Sequence, residues 1–246
     1  MLLIDISPYL LPINRESVAN EYTAKQIIKK AEQQGVTDII AIPRISGNSA
    51  EDKYTYMDEV LQTIQQGRLD ISLAQTLPVN GDIHDLINKG VQKHKGHYLF
   101  LELVDSHIPH FMDQLCYELQ LQDTKPVLVF PERNEGIQKD STQLYNMVKN
   151  GVLTLVSAQS ILGRRGKKVK KFTQQLFDHN LVHFISSDAT EPKKYELSKA
   201  WKQVQQSVSI EQYNQLRENA DKIANGLSVR TAMPERIKKR KILGII

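Results

Sequence analysis

Cysteine is nearly absent from this 246-residue chain, which contains only Cys116. A single thiol excludes an internal disulfide, and it also excludes a metal cluster held by several cysteines. Cys116 lies in an alternation of apolar and polar residues between positions 111 and 119. We therefore expect this thiol to be buried.

Long apolar runs are also missing. The longest, at positions 38–43 and 126–130, fall far short of the roughly 20 residues that a membrane helix requires. The chain begins Met-Leu-Leu-Ile-Asp, with no basic residue before its apolar stretch and an acid inside it, which disfavours a secretory signal. We expect no membrane span and a cytoplasmic protein, either free or at the inner face of the membrane.

A strong charge of one sign is missing as well, since the net charge is only +4. The basic excess is concentrated in residues 164–171 and 230–241. Val169 and Phe172 in the first segment occupy inward helical positions, which favours a solvated helix face over a nucleic-acid or membrane surface. The second segment belongs to a basic, apolar-ended tail, residues 230–246, which either contacts a membrane peripherally or packs on a second subunit of a homo-oligomer.

What the chain does contain is an alternation of strand and helix patterns. One helical face comprises Val18, Tyr22, Ile27, Ile28 and Ala31, with Gly35 as its stop; Leu144, Met147 and Val148 form another, closed by Gly151. Between such faces lie seven short segments rich in aliphatic and β-branched residues: 2–6, 38–42, 70–75, 98–103, 126–130, 153–157 and 182–186.

Strands that alternate with helices pair in parallel, because each crossover returns the chain to the same end of the sheet. Seven such units predict an α/β fold with a seven-stranded, TIM-like β/α barrel over residues 1–229; an open doubly wound sheet is the alternative. In a barrel, functional side chains collect where the strands end. The polar residues predicted there are Ser7, Tyr9, Arg44, Thr76, Glu102, Glu132, Arg133, Asp188 and Thr190.

Several motifs along the chain point to one family. They include Ile-Asp-Ile at 4–6, Gly-Val-Thr-Asp-Ile-Ile at 35–40, Ile-Pro-His at 108–110, Pro-Glu-Arg-Asn at 131–134, Gly-Lys-Lys at 166–168 and Ser-Asp-Ala at 187–189. With these motifs nearly the whole chain resembles the PHP (polymerase and histidinol phosphatase) type protein-tyrosine phosphatases encoded in bacterial capsule and exopolysaccharide loci. The resemblance implies a distorted barrel of the PHP fold, holding divalent metals, usually manganese, that activate water to attack phosphotyrosine.

The resemblance also implies where the metal ligands should stand, and most of those positions are altered. Glu102 and Asp188 alone keep the family ligand. The lost positions, most of which hold histidine in the family, are Ser7, Tyr9, Arg44, Thr76, Phe130 and Thr190.

Replacing ligands in this way opposes metal binding. Hydroxyls are weak neutral ligands, and a guanidinium repels a divalent ion by roughly 4 kcal/mol per unit charge pair at 4 Å and an effective dielectric of 20. We therefore expect no metal cofactor; the alternative is manganese or another divalent ion held weakly between Glu102 and Asp188. The seven histidines elsewhere in the chain are predicted to be surface or loop residues.

The function predicted from these observations is that of a pseudo-phosphatase. Arg133, Arg44 and Arg15 are the candidate residues for binding a phosphate, since arginine forms bidentate contacts with phosphate. The competing interpretation is that these arginines only neutralise Glu102 and Asp188. By resemblance, the partner is a bacterial tyrosine kinase or its phosphotyrosine tail, in the control of capsular polysaccharide synthesis. The alternative function is an active manganese-dependent protein-tyrosine phosphatase with a reduced metal site.

Overall fold

The computed structural model describes residues 3–13, 16–44, 50–65, 67–88, 90–103 and 106–238. Strands and helices alternate along this part of the chain. The strands are β1 Leu3–Ser7, β2 Val36–Ala41, β3 Asp70–Leu73, β4 Thr76–Val79, β5 Tyr98–Leu103, β6 Lys125–Val129, β7 Leu153–Ser157 and β8 Phe184–Ser186. The helices are α1 Glu21–Gln33, α2 Ala50–Ile64, α3 Ile83–Asn88, α4 Met112–Leu121, α5 Glu135–Lys139, α6 Thr142–Lys149, α7 Ala158–Ile161, α8 Lys167–Asp178, α9 Leu197–Ser207 and α10 Ile210–Ala224.

All strand pairs are parallel, and their order in space follows their order in the chain. β1, β2 and β3 form one sheet, and β4 to β8 form a second. The parallel bridge between Arg44 and Thr76 connects the end of β2 to the start of β4. This sequential order differs from a doubly wound sheet, in which the strand order reverses at a switch point.

The predicted closed seven-stranded barrel is not confirmed. The described residues contain eight strands in two sheets, because the segment predicted as one strand at 70–75 ends at Leu73 and a further strand begins at Thr76. Between β8 and β1 the connection is made by a side chain. Asp5 of β1 accepts hydrogen bonds from the Ser187 backbone N–H at 2.7 Å and from the Tyr195 hydroxyl at 2.9 Å, and burial raises the pKa of its carboxyl.

Helix α1 shows how the sequence pattern becomes structure. The Asn20 side chain accepts a hydrogen bond from the Thr23 backbone N–H at 2.9 Å and caps the helix. Ile27 and Ile28 are buried as predicted, but Tyr22 is 71% exposed, since it lies in the first turn and outside the buried face. Gly35 follows the helix with a φ of 81° and leads directly into β2.

Alternate residues of the strands pack into two different cores. On β5, Tyr98 and Phe100 belong to a smaller cluster built mainly from strand residues, with Ala220 and Ile223 of α10, whereas Leu99 and Leu101 belong to the larger cluster shared with the helices. Because successive side chains of a strand point to opposite faces, a run that is apolar throughout can supply both cores.

The last described segment, residues 227–238, packs on the body of the protein. The Tyr98 hydroxyl donates to the Leu227 carbonyl, and Asn219 Oδ1 accepts from the Arg230 backbone N–H at 3.2 Å. The Glu235 N–H donates to the His179 carbonyl at 2.9 Å, and Arg236 stacks 4.4 Å from the centre of the Tyr145 ring. The tail predicted to start at residue 230 therefore rests on the body up to residue 238, and residues 239–246 lie outside the described part. None of the described helices combines the length and the apolar character needed to cross a bilayer.

Candidate functional site

A cleft of about 520 Å³ opens at the C-terminal ends of the strands, where the barrel hypothesis placed the functional residues. We call it the mouth cleft. It is lined by Tyr9, Glu16, Arg44, Glu102, Leu103, Val129, Phe130, Pro131, Arg133, Asn134, Arg165 and Thr190. The structure thus brings together Arg44, Arg133, Glu102, Tyr9, Phe130 and Thr190, which the sequence places after five different strands.

Arg133 and Asp188 form the central ion pair of this region. Arg133 Nη2 donates to Asp188 Oδ2, and the same oxygen accepts from the Ser157 hydroxyl at 2.7 Å and from Arg165 Nη2 at 3.2 Å. Burial lowers the pKa of the Arg133 guanidinium, but the carboxylates of Asp188 and Glu132 outweigh that effect and leave the pKa raised. Arg133 therefore remains a cation inside the protein.

Two buried polar atoms of this pair, Arg133 Nε and Asp188 Oδ1, have no hydrogen-bond partner. The Arg133 guanidinium also lies 4.0 Å from the centre of the Phe130 ring, which holds the plane of the cation against an aromatic face. Arg133 Nε lies 4.0 Å from Glu132 Oε1, at ion-pair distance, so electrostatic attraction holds this buried atom without a hydrogen bond.

Glu132, next to Arg133, supports the structure behind the cleft. Its carboxylate is fully buried and accepts the Ser157 backbone N–H at 3.0 Å. Burial raises the pKa of this carboxyl, and the nearby Arg133 acts in the opposite direction. Glu132 therefore fixes the end of β7, and Ser157 in turn donates to Asp188.

A second ion pair lies on the other side of the cleft. Arg44 Nε is 3.4 Å from Glu102 Oε2, and Arg44 Nη1 is 3.3 Å from Glu16 Oε2. Glu102 and Asp188, the two carboxylates that the resemblance implies as metal ligands, thus each have a guanidinium partner. The competing interpretation of the arginines, that they neutralise these two carboxylates, expected such pairing.

The backbone at the rim adopts an unusual conformation at two of these positions. Phe130 has a φ of 53° and Asp188 a φ of 54°, in the left-handed region that non-glycine residues seldom occupy. The Phe130 ring lies 6.4 Å from the Tyr9 ring. Burial, followed by the Glu102 and Asp188 carboxylates, raises the pKa of Tyr9 to about 12, so its hydroxyl stays protonated.

The remaining predicted positions are distributed differently. Ser7 and Thr76 are buried, and the Thr76 hydroxyl donates to the Ile42 carbonyl at 2.7 Å. Arg15 lies outside the described residues. Thr190 lines the mouth cleft and a neighbouring one.

That neighbouring cleft was missed by the sequence analysis. We call it the lateral cleft; its volume is also about 520 Å³, and it is lined by Gln159, Arg164, Arg165, Asp188, Thr190, Lys193, Lys194 and Glu196. Arg164 and Arg165 were predicted to belong to a solvated helix face, but α8 begins only at Lys167. The lysines of α8 are exposed as predicted, whereas Arg165 turns toward Asp188.

Two of the histidines, which were predicted to be surface or loop residues, are buried. His183 Nδ1 accepts the Thr154 backbone N–H at 3.1 Å, and His94 Nε2 lies 2.9 Å from the Ile223 carbonyl. Burial lowers the pKa of each to about 4. Cys116 is buried as predicted, and burial raises its pKa to about 12. Among the described residues, no group of three or more His, Cys, Asp or Glu side chains is placed to hold a metal ion.

Comparison with known proteins identifies relatives over the whole length of the chain. Residues 3–225 match the family described as "Capsular polysaccharide synthesis, CpsB/CapC". Tyrosine-protein phosphatase YwqE of Bacillus subtilis (strain 168) is 26% identical over 252 aligned positions, covering 98% of this chain and 99% of that protein. CapC of Staphylococcus aureus is 29% identical over 195 positions, covering 76% of each.

Two solved structures are also similar to this chain. One crystal structure, from work on YwqE of Bacillus subtilis and CpsB of Streptococcus pneumoniae described as metal-dependent tyrosine phosphatases, matches with a TM-score of 0.85 and 25% identity. The match covers 96% of this chain and 100% of that one. A chain of archaeal ribonuclease P, solved with mature tRNA, matches with a TM-score of 0.58 at 18% identity and shares the fold alone.

Proposed function

Because the chain belongs to the CpsB/CapC family of capsular polysaccharide synthesis, we propose that it is a catalytically impaired homologue of metal-dependent tyrosine phosphatases that binds phosphotyrosine. One observation carries this proposal. The Glu102 and Asp188 carboxylates, which a metal would need, are each paired with an arginine. These arginines oppose a divalent cation, and the cleft lining holds three arginines, Arg44, Arg133 and Arg165, against two glutamates, which favours an anion.

The residues present do not fit a cluster of divalent cations. Arg44 and Arg133 place fixed positive charges beside the two carboxylates, and Phe130 supplies an aromatic face in place of a ligand atom. Metal catalysis depends on ligands that hold the ion and acidify its water. In this proposal the protein uses no metal cofactor.

A phosphotyrosine fits the same residues. The phosphate would accept from three arginines that line the cleft, Arg133, Arg44 and Arg165. Its phenyl ring would lie against the aromatic faces of Tyr9 and Phe130. Charge-assisted bonds to a guanidinium are shorter and stronger than neutral ones, so the phosphate contributes most of the affinity.

The partner in this proposal follows from the family and not from a contact in the structure. It is a bacterial tyrosine kinase, or its phosphorylated tail, and the process is the control of capsular polysaccharide synthesis. The complex would form in the cytoplasm at the inner face of the membrane, where the segment at 230–246 could add a peripheral contact. Homo-oligomer formation remains a prediction that sedimentation of the full chain would test.

Calorimetric titration with a phosphotyrosine peptide tests the proposal directly. We expect binding that requires the phosphate and that weakens at least tenfold on Arg133→Ala, since a phosphate contact to a guanidinium contributes about 1.5–3 kcal/mol. Binding that is equal for phosphorylated and unphosphorylated peptides would remove the phosphotyrosine part of the proposal.

The competing function is an active manganese-dependent phosphatase, and the buried, unpartnered Asp188 Oδ1 is the observation that favours it. Hydrolysis of p-nitrophenyl phosphate and of a phosphotyrosine peptide, with and without manganese, separates the two. Turnover above that of a Glu102→Ala, Asp188→Ala double variant would establish the enzyme and refute the impaired homologue.

A further inference from the structure

The lateral cleft adjoins the mouth cleft and is not used by the function proposed above. Arg165 and Thr190 line both clefts, so the two clefts share part of their walls. The floor of the lateral cleft includes Gln159, whose side-chain amide donates to the Lys194 carbonyl at 2.7 Å. This bond attaches the turn that carries Lys193 and Lys194 to the end of β7.

The charge of the lateral cleft is positive. Four cations line it, Arg164, Arg165, Lys193 and Lys194, against the two carboxylates of Asp188 and Glu196. Asp188 is already shared with Arg133, and Glu196 is shared by Arg164 at 3.0 Å and Lys199 at 2.8 Å. Each of these carboxylates thus serves two cations, which leaves unbalanced positive charge around the cleft.

The cationic groups are accessible to a ligand. Lys193 and Lys194 share the exposed carboxylate of Glu191, and the Lys193 side chain is 78% exposed. Ion pairs at such exposed positions contribute little free energy, so an incoming carboxylate can join them or replace Glu191. Helix α8, which begins two residues after Arg165, adds the exposed Lys167 and Lys168 in its first turn.

We propose that the lateral cleft is a subsite for acidic residues that flank the phosphotyrosine, so that the protein selects phosphotyrosine in an acidic peptide. This inference rests on the proposed function of the mouth cleft. Because the clefts share a wall and an extended peptide advances about 3.3 Å per residue, the recognised Asp or Glu lies within about three residues of the phosphotyrosine. Arg165, placed between the clefts, contacts both anions.

The test uses the full chain and three labelled peptides of one length. One carries phosphotyrosine flanked by glutamates, one carries phosphotyrosine flanked by alanines, and one carries unphosphorylated tyrosine flanked by glutamates. Binding is measured by fluorescence anisotropy for the wild type and for two variants. Lys193→Ala/Lys194→Ala removes two cations of the lateral cleft, whereas Lys139→Ala/Lys149→Ala removes two exposed lysines that line neither cleft.

We expect the wild type to bind the glutamate-flanked phosphopeptide about threefold to tenfold more tightly than the alanine-flanked one. The Lys193→Ala/Lys194→Ala variant should lose this preference and bind the alanine-flanked phosphopeptide as the wild type does. The control variant should keep the preference, and added salt should weaken it for both the wild type and the control.

The outcomes separate the subsite from the proposed function. Equal binding of the two phosphopeptides by the wild type overturns the subsite and leaves phosphotyrosine recognition in place. A preference that survives in the Lys193→Ala/Lys194→Ala variant assigns acid recognition to another surface, which also overturns it. Failure of both phosphopeptides to bind removes the proposed function and the subsite together. Phosphatidylserine vesicles that bind the wild type and the control but not the lateral variant would instead assign this cleft to a membrane.

Discussion

Arg133 donates to Asp188 across the end of the intervening strand β7. Arg133 follows β6, Asp188 follows β8, and Ser157 at the end of β7 donates to the same carboxylate oxygen. Three neighbouring strand ends are therefore joined through one buried atom. The pair has a structural role in addition to its proposed role in binding.

Substitution of Arg133 should destabilise the fold because it leaves the buried Asp188 carboxylate with fewer partners. We expect Arg133→Ala to lower the free energy of unfolding, measured by urea denaturation, by about 3 kcal/mol. This value is at the lower end of the cost of breaking a buried ion pair, because Arg165 still donates to Asp188. The double variant Arg133→Ala/Asp188→Ala should recover part of that loss. An Arg133→Ala protein as stable as the wild type would show that the pair contributes nothing.

Removal of bound metals should leave the thermal stability of the protein unchanged. With guanidinium groups paired to Glu102 and Asp188, we expect dialysis against a chelator to leave the melting temperature where it was. Adding manganese should not raise that temperature either. A ligand that binds only the folded state would raise it, so an unchanged melting temperature indicates that manganese does not bind. Mass spectrometry under native conditions that finds two or more manganese ions per chain would contradict this expectation.

Acid should destabilise the fold through buried histidines. The pKa of His183 is lowered to about 4 by burial, whereas an unfolded histidine titrates near 6.5. Between these values the unfolded chain binds the extra proton, so stability is complete above about pH 6.5 and falls as the pH drops toward 4. From pH 7.5 to pH 5 we expect His183 to contribute a loss of about 2 kcal/mol.

The variant His183→Asn isolates this contribution, because the amide oxygen can accept the Thr154 N–H in place of Nδ1 and does not titrate. His94 acts in the same direction, and Asp5 and Glu132, whose pKa values burial raises, act in the opposite one. These groups are present in both proteins and cancel in the difference. Urea unfolding curves whose pH dependence is the same for both proteins would refute the assignment.

The segment at 227–238 should loosen when its anchor is removed. Tyr98→Phe deletes the hydroxyl that donates to the Leu227 carbonyl, and we expect a loss of about 1 kcal/mol. Hydrogen exchange of the Arg230 and Glu235 amides, which bond to Asn219 and to the His179 carbonyl, should accelerate. Tyr22→Phe, at an exposed tyrosine of α1, is the matched control and should change neither quantity.

Much of the fold was readable from hydrophobic periodicity, and the strand that was missed has a physical explanation. Strands β5 and β7 were predicted with their observed bounds. β4 was missed because Pro78 interrupts its short apolar run, and proline has no backbone N–H to donate to a neighbouring strand. The structure accommodates Pro78 because, among the described residues, β4 pairs along its length only with β5, apart from the single bridge of Thr76 to Arg44.

The candidate site was predictable where residues lie near strand ends. Glu102 lies near the end of β5, Arg44 and Arg133 follow β2 and β6, and the three converge because parallel strands end at one edge. Arg165 could not be placed in this way, since it follows β7 by eight positions and reaches Asp188 through a loop between α7 and α8. Contacts that depend on how a loop folds back have no periodic signal in the sequence.

The left-handed backbone at Phe130 affects how readily this position could accept the histidine that the resemblance implies. Histidine, which the resemblance expects at this position, tolerates that conformation better than most residues, so its return would require no rearrangement of the main chain. If the proposed function holds, a handful of exchanges at the rim, with Arg44 among them, would separate a recognition protein from an enzyme on the same main chain.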